Sequence, residues 1–80
     1  MIRPKAIEVT PLENYQLLIK FSNGEKRILD MTKKLEHPFY RMLKEKSFFI
    51  NVHIAGLGIE WATGQDICPD ELYYDSKIIP

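Results

Sequence analysis

Asn23-Gly24 stands between two runs in which apolar and polar residues alternate, the first of them Tyr15 to Phe21. A period of two is the pattern of a half-buried strand, and here it sets Tyr15, Leu17, Ile19 and Phe21 on one side. Both central residues of a type I′ turn need positive φ, which Asn-Gly supplies, so the step predicts a tight antiparallel hairpin. Pairing across that turn sets Phe21 opposite Lys26, Ile19 opposite Ile28 and Leu18 opposite Leu29. A chain with such a hairpin is committed to a sheet, and the rest of the sequence must cover one face of it.

Upstream, Lys5 to Thr10 alternates with Ile7 and Val9 on one face, then reaches Pro11 and a short turn through Asn14. Downstream the period changes. Asp30 is placed to cap a short helical turn through Met31 and Leu35. His37-Pro38 opens a second helix, since proline suits the first helical position, with Phe39, Met42 and Leu43 as its buried stripe. Phe48 to Ile54 predicts a strand with Phe48, Ile50, Val52 and Ile54 inward. Ala55-Gly56-Leu57-Gly58 turns the chain into a last short strand carrying Ile59 and Trp61. The expectation is one α+β domain over residues 1–80. It has two layers: a mainly antiparallel sheet of about five strands (two hairpins), with a short helical segment on one face and a short C-terminal helical turn.

Composition narrows the classes of function. Eighty residues make one domain. A chain of this size buries about 60–65% of its unfolded surface, so the core is thin. No wholly apolar run exceeds three residues, as in Phe48-Phe49-Ile50, against about 20 for a spanning helix. The N-terminus lacks the apolar stretch of a secretion signal, and a lone cysteine fits a reducing compartment; a cytoplasmic protein is expected. Residues 1–46 carry ten Lys/Arg against six Asp/Glu, and residues 47–80 one Lys against five carboxylates. The basic residues are scattered, but Arg3, Lys5, Lys26, Arg27, Lys33 and Lys34 together would form a phosphate-tracking surface if folding gathered them.

The other informative stretch is GIEWATGQDICPDELYYDS, residues 58–76, with the only Trp and Cys of the chain. Pro69 takes a first helical position, and Asp70 and Glu71 then meet the positive end of the helix dipole, typically worth about 0.3–1 kcal/mol each. Ile67 and Leu72 have the spacing of a hydrophobic staple. These assignments give much of the segment a structural role. His37 and His53 are isolated, and Asp66, Asp70, Glu71 and Asp75 fit neither a calcium loop nor a zinc pattern, so no metal or cofactor is expected. Glu60 and Asp66 flank one turn as a carboxylate pair, yet nothing supplies a nucleophile or an oxyanion donor, and no catalytic residue is assigned. Cys68 at a helix start is the one candidate for a reactive thiol, although no His stands near it in sequence. Trp61 either plugs the core or, with Tyr73 and Tyr74, anchors a partner, since Trp and Tyr dominate interface energetics.

The ordered set of these pieces resembles the prokaryotic domain-of-unknown-function family DUF 2442. The residues that carry the resemblance are Phe21 to Asp30, Phe48 before the Val52 strand, Gly58-Ile59-Glu60-Trp61, Gly64-Gln65-Asp66-Ile67 and Pro69 to Tyr73. Ala62-Thr63 departs from the Pro-Asn that often follows the Trp. The resemblance implies no enzymatic activity and no catalytic residues. It does imply a genomic neighbour, a small protein of the DUF 4160 type, in arrangements like toxin–antitoxin pairs. Some longer members carry a helix-turn-helix domain, for which this chain has no matching segment.

The expectation is therefore a non-enzymatic module that binds another small protein in an antitoxin-like or regulatory pair. Glu60, Trp61, Asp66, Asp70 and Tyr73 are the candidate contacts, and their acidity suits a basic, toxin-like partner. The alternatives are a nucleic-acid-associated regulator using the basic N-terminal half, and a small-ligand binder or enzyme. Pairing of two copies through exposed strand edges stays open.

Overall fold

The computed structural model describes residues 4–79. Strands β1 (Ala6–Pro11), β2 (Gln16–Phe21) and β3 (Lys26–Asp30) form an antiparallel meander, and β7 (Lys77–Ile78) pairs with the far side of β3. Strands β4 (Val52–Ala55), β5 (Gly58–Trp61) and β6 (Asp66–Ile67) form a second antiparallel sheet. Both expected hairpins and the α+β class are present, with the strands divided into sheets of four and three. One core joins them: Leu17, Ile19, Phe21 and Leu29 from the first sheet meet Ile59, Trp61 and Ile67 from the second. Full burial of such a side chain contributes about 1.5–3 kcal/mol.

The first hairpin closes differently from the expected type I′ turn. Gly24 N–H donates to the Phe21 carbonyl and Phe21 N–H donates to the Glu25 carbonyl, which leaves a three-residue loop. Gly24 has φ +89°, while Asn23 stays at negative φ and its Oδ1 accepts from Glu25 N–H at 3.0 Å. Asparagine thus serves as a local acceptor, and glycine alone takes the left-handed position, as in a turn followed by a bulge. The longer loop slips the register by one: Ile19 faces Arg27, Leu18 faces Ile28, and Leu17 faces Leu29. Arg27 therefore shares the inner row with Ile19. The same pair of bonds recurs at the β5–β6 turn, from Gly64 to Trp61 and from Trp61 to Gln65.

Elsewhere period and burial part from the expectation in definable ways. A register shift between Ala6 and Glu8 turns Ile7 outward while Ala6 and Val9 both meet the core. Asp30 closes β3, and its Oδ1 accepts from the N–H and hydroxyl of Thr32. The helical turn itself is Lys34–Glu36, with Lys33 and no side-chain bond at its cap position, so Asp30 orders the approach to the turn instead of capping it; Met31 and Leu35 are both buried. The segment Pro38–Lys44 is a 3₁₀ helix, and there residues three apart eclipse one another. Its inner row is consequently Tyr40 and Leu43, while Phe39 and Met42 line up outside, 49% and 53% exposed. Residues 46–49 form α1 (Lys46–Phe49) instead of the start of a strand, so Phe49 is buried while Phe48 and Ile50 are exposed. A three-residue apolar run suits a helix as well as a strand, and here the helical reading wins. The last helix, α2 (Pro69–Asp75), has Pro69 at its start and Leu72 and Ile67 both buried, as the staple requires.

Candidate functional site

The acidic residues expected at a site fall on the outer face of the second sheet and the start of α2. Since Ile59 and Trp61 point inward, Glu60 points outward, and the register sets His53 of β4 and Asp66 of β6 on either side of it. His53 Nε2 lies 3.3 Å from Glu60 Oε1, and both side chains are about half exposed. Glu60 and Asp66 are direct cross-strand partners. Like charges so placed are destabilising by a few tenths of a kcal/mol up to about 1 kcal/mol, and sheets normally avoid them. Asp70 is exposed in the first turn of α2. The Asp66 carbonyl accepts from the Tyr40 hydroxyl at 3.0 Å, which ties the ledge to the 3₁₀ segment.

Trp61 and Tyr73 are placed otherwise than a docking surface requires. Trp61 is 1% exposed, and its Nε1–H donates to the Phe49 carbonyl at 2.9 Å. A buried indole with a satisfied N–H is a core residue, so Trp61 presents no face to a partner. Tyr73 is half-buried: its ring packs edge-on against Phe21 at 5.1 Å, and its hydroxyl donates to the Glu25 carboxylate at 3.0 Å. Cys68 is exposed and free at the start of α2.

Two members of the basic set, Arg27 and Lys34, are drawn into the fold. Arg27 donates to Glu25 at 2.8 Å and to the Ser76 carbonyl at 3.0 Å, and stacks on Tyr73. Burial works against its charge, but hydrogen bonds to Glu25 and Tyr73 more than offset it and raise its pKa. Lys34 bridges Glu71 at 2.6 Å and Asp75 at 2.7 Å, which fastens the turn after β3 to α2. Lys5, Lys26 and Lys33 are exposed, and Arg3 lies outside the described residues. Lys20, absent from the expected set, stands opposite Lys26, with Glu8 on its other side. Glu25 and Lys34 are the structural partners that sequence reasoning missed. Their contacts span up to 48 residues, and no local pattern signals them.

Among the described residues there is no group of three or more His, Cys, Asp or Glu side chains suited to a metal, and no helix long and apolar enough to cross a membrane. A cleft of about 240 Å³ opens between the β1–β2 connection and α1, lined chiefly by Leu12, Tyr15, Phe49 and Ile50. That volume is below the roughly 300–1,000 Å³ of ordinary small-molecule sites.

No curated protein and no solved structure matches the chain. The family model described as "Protein of unknown function (DUF2442)" matches residues 6–77, nearly the whole described fold from β1 to the start of β7. The chain therefore belongs to the DUF 2442 family.

Proposed function

We propose that this chain is a non-enzymatic protein-interaction module that pairs with a second small, basic protein in an antitoxin-like or regulatory complex in the cytoplasm. The observation that carries the reading is the cross-strand pair Glu60 and Asp66 on the outer face of the second sheet. Two carboxylates held opposite one another oppose folding of the free protein, and a cationic side chain placed between them relieves that repulsion. A local conflict of this kind is the sort that function retains. Asp70 is a further exposed carboxylate in the first turn of α2, and Trp61 anchors β5 in the core behind Glu60. The partner envisaged is a toxin-like protein such as the DUF 4160 type that the family resemblance implies.

The test is a native pull-down from the source cells at moderate salt with nuclease, comparing the wild-type bait with a Glu60→Lys/Asp66→Lys bait. Both substitutions lie on exposed or half-exposed positions, and circular dichroism would check that the fold survives. The expected result is one stoichiometric small basic protein, lost with the charge-reversed bait. Retention by that bait would rule out the acidic ledge. Nucleic acid recovered in place of a protein when nuclease is omitted would transfer the function to the exposed lysines of the first sheet, and its binding should then weaken steeply with salt.

A further inference from the structure

A wider cleft, of about 510 Å³, opens between α2 and the 3₁₀ segments Lys34–Glu36 and Pro38–Lys44. That volume falls within the roughly 300–1,000 Å³ of small-molecule sites. Its floor is Tyr40, half-buried and held at three points. The Tyr40 hydroxyl donates to the Asp66 carbonyl at 3.0 Å, and the Trp61 and Phe39 rings meet it at 6.5 and 4.8 Å. Phe39 stands at 76° to Tyr40 and is 49% exposed, because the 3₁₀ period turns it outward. The two rings make a fixed corner with one ring uncovered, and aromatic surface of this kind stacks flat heterocycles.

The polar groups of the lining are not equivalent. Lys34 is already matched by Glu71 at 2.6 Å and Asp75 at 2.7 Å, so its charge is satisfied within the fold. Lys33 is exposed and in no ion pair among the described residues, and its charge acts on Asp30 through space. His37 Nδ1 accepts from the Phe39 N–H at 3.2 Å, which leaves Nε2 as the nitrogen that carries the ring's proton. Glu71 gives Oε2 to Lys34 and keeps Oε1 as an acceptor. Glu36 and Arg41, the other charges of these segments, lie outside the lining and are opposite in sign. One ammonium, one N–H donor and one carboxylate oxygen thus border the aromatic corner.

A flat ring fits the corner, an anionic group fits Lys33 and His37, and N–H groups on the ring fit Glu71. A polyphosphate would set further negative charge against Glu71 and Asp75, with no unmatched cation in the lining besides Lys33. We infer that this cleft binds a nucleoside monophosphate with an amino-bearing base. The base lies on Phe39 and Tyr40 and donates to Glu71 Oε1, and the phosphate meets Lys33 and His37 Nε2. The site is distinct from the acidic ledge and meets it at the Tyr40–Asp66 bond. With one uncovered ring and one cation in an open cleft, a Kd of about 0.1–1 mM is expected.

The test is an amide chemical-shift titration of the full chain by NMR with AMP, adenosine and ribose 5-phosphate, at constant ionic strength. Each is taken to about 5 mM, beyond the weakest Kd expected. Variants are Phe39→Ala and Lys33→Glu, both at exposed positions and checked for folding by circular dichroism. The expected result is AMP shifts centred on residues 33–40 and Glu71, with AMP about tenfold tighter than either fragment. Phe39→Ala should weaken AMP and adenosine alike, by about tenfold, since both lose the stacking ring. Lys33→Glu should weaken AMP by about tenfold and leave adenosine unchanged, a split that a merely structural effect would not produce. An absence of shifts at the highest AMP concentration would overturn the inference. So would ribose 5-phosphate binding as tightly as AMP, because charge alone would then account for it, or shifts centred on Lys20 and Lys26. A trinucleotide far tighter than AMP would overturn it too, since the ligand would then be a strand.

Discussion

The guanidinium carbon of Arg27 lies 4.0 Å from the centroid of the Tyr73 ring, a contact between β3 and α2 across 46 residues of sequence. The same guanidinium donates to Glu25 and to the Ser76 carbonyl, so one side chain fastens the C-terminal helix to the first hairpin. Charge-assisted hydrogen bonds and a partly desolvated cation–π contact together put Arg27→Ala at about 2 kcal/mol of lost stability. Arg27→Lys should recover less than half of that, because an ammonium lacks the planar fork that stacks and donates in several directions. Urea unfolding of both variants measures this. Equal midpoints for Arg27→Lys and the wild type would show that only the charge matters.

Glu25 gives the protein an acid-side weakness. The hydrogen bond from Arg27 holds its carboxyl below the ordinary 4.5; exposure loss opposes this, and the Tyr73 hydroxyl reinforces it. A folded pKa below the unfolded one means stability that is fully present above about pH 4.5 and lost as pH falls through the folded value. Asp30 acts with the same sign, held down by the Thr32 backbone N–H. Glu25→Gln should therefore be less stable than the wild type at pH 7, with the gap closing as pH falls below 4.5 and through the lowered folded value. A gap that stays constant from pH 7 to pH 3 would assign the effect to packing instead of charge.

The parts of the fold legible in the sequence were those with a local cause. The β2–β3 and β4–β5 hairpins and Pro69 at a helix start announce themselves through residues within a few positions of one another. Two kinds of feature were not legible. The register of the first hairpin depends on whether asparagine or only glycine turns left-handed, a choice that Asn23 makes by bonding Glu25 N–H. The buried row of residues 38–44 depends on a 3₁₀ period that a stripe of Phe39, Met42 and Leu43 disguises as an α period. For the candidate site, alternation did place Glu60 outward, whereas the burial of Trp61 arises from Phe49 and Tyr40, brought beside it from a different segment.

The 3₁₀ period can be tested directly. Leu43 is fully buried and eclipses Tyr40, so Leu43→Ala should cost about 2–5 kcal/mol. Phe39→Ser, on the outer row, should cost less, about 0.5–1.5 kcal/mol, through its edge-on contact with Tyr40 at 4.8 Å. Thermal unfolding of the two variants side by side separates the cases. An α-helical stripe would make both substitutions costly.

Gly58 and Gly64 should respond to alanine for different reasons. A methyl at Gly58 would overlap the Ile67 carbonyl, where β5 and β6 approach, and backbone cannot yield as a side chain can. Gly58→Ala should cost about 1–3 kcal/mol as overpacking. Gly64 faces open space at φ +101°, so Gly64→Ala carries only the conformational penalty of about 1–2 kcal/mol. Relieving the first by Ile67→Gly would fail, since the clash is with main chain. Hydrogen exchange at Ile59 and Trp61 distinguishes the two, with protection falling across β5 in Gly58→Ala and near the turn in Gly64→Ala.

Trp61 decides how any partner experiment must be built. Its burial and its bond to the Phe49 carbonyl put Trp61→Ala at about 3–5 kcal/mol. An 80-residue domain has a total stability of about 4–12 kcal/mol, so that variant should be largely unfolded or close to it. Trp61→Phe keeps most of the apolar area but strands the Phe49 carbonyl, at about 1–3 kcal/mol. Acrylamide quenching of the native fluorescence offers an independent reading. With Tyr40 and Phe49 against the indole, quenching should be weak in the folded protein and rise sharply on unfolding. Strong quenching in the native state would return Trp61 to the surface and to the list of contacts. Weak quenching means that loss of a partner in a Trp61 variant would report unfolding, so the proposed recognition is tested by substitutions at exposed positions such as Glu60 and Asp66.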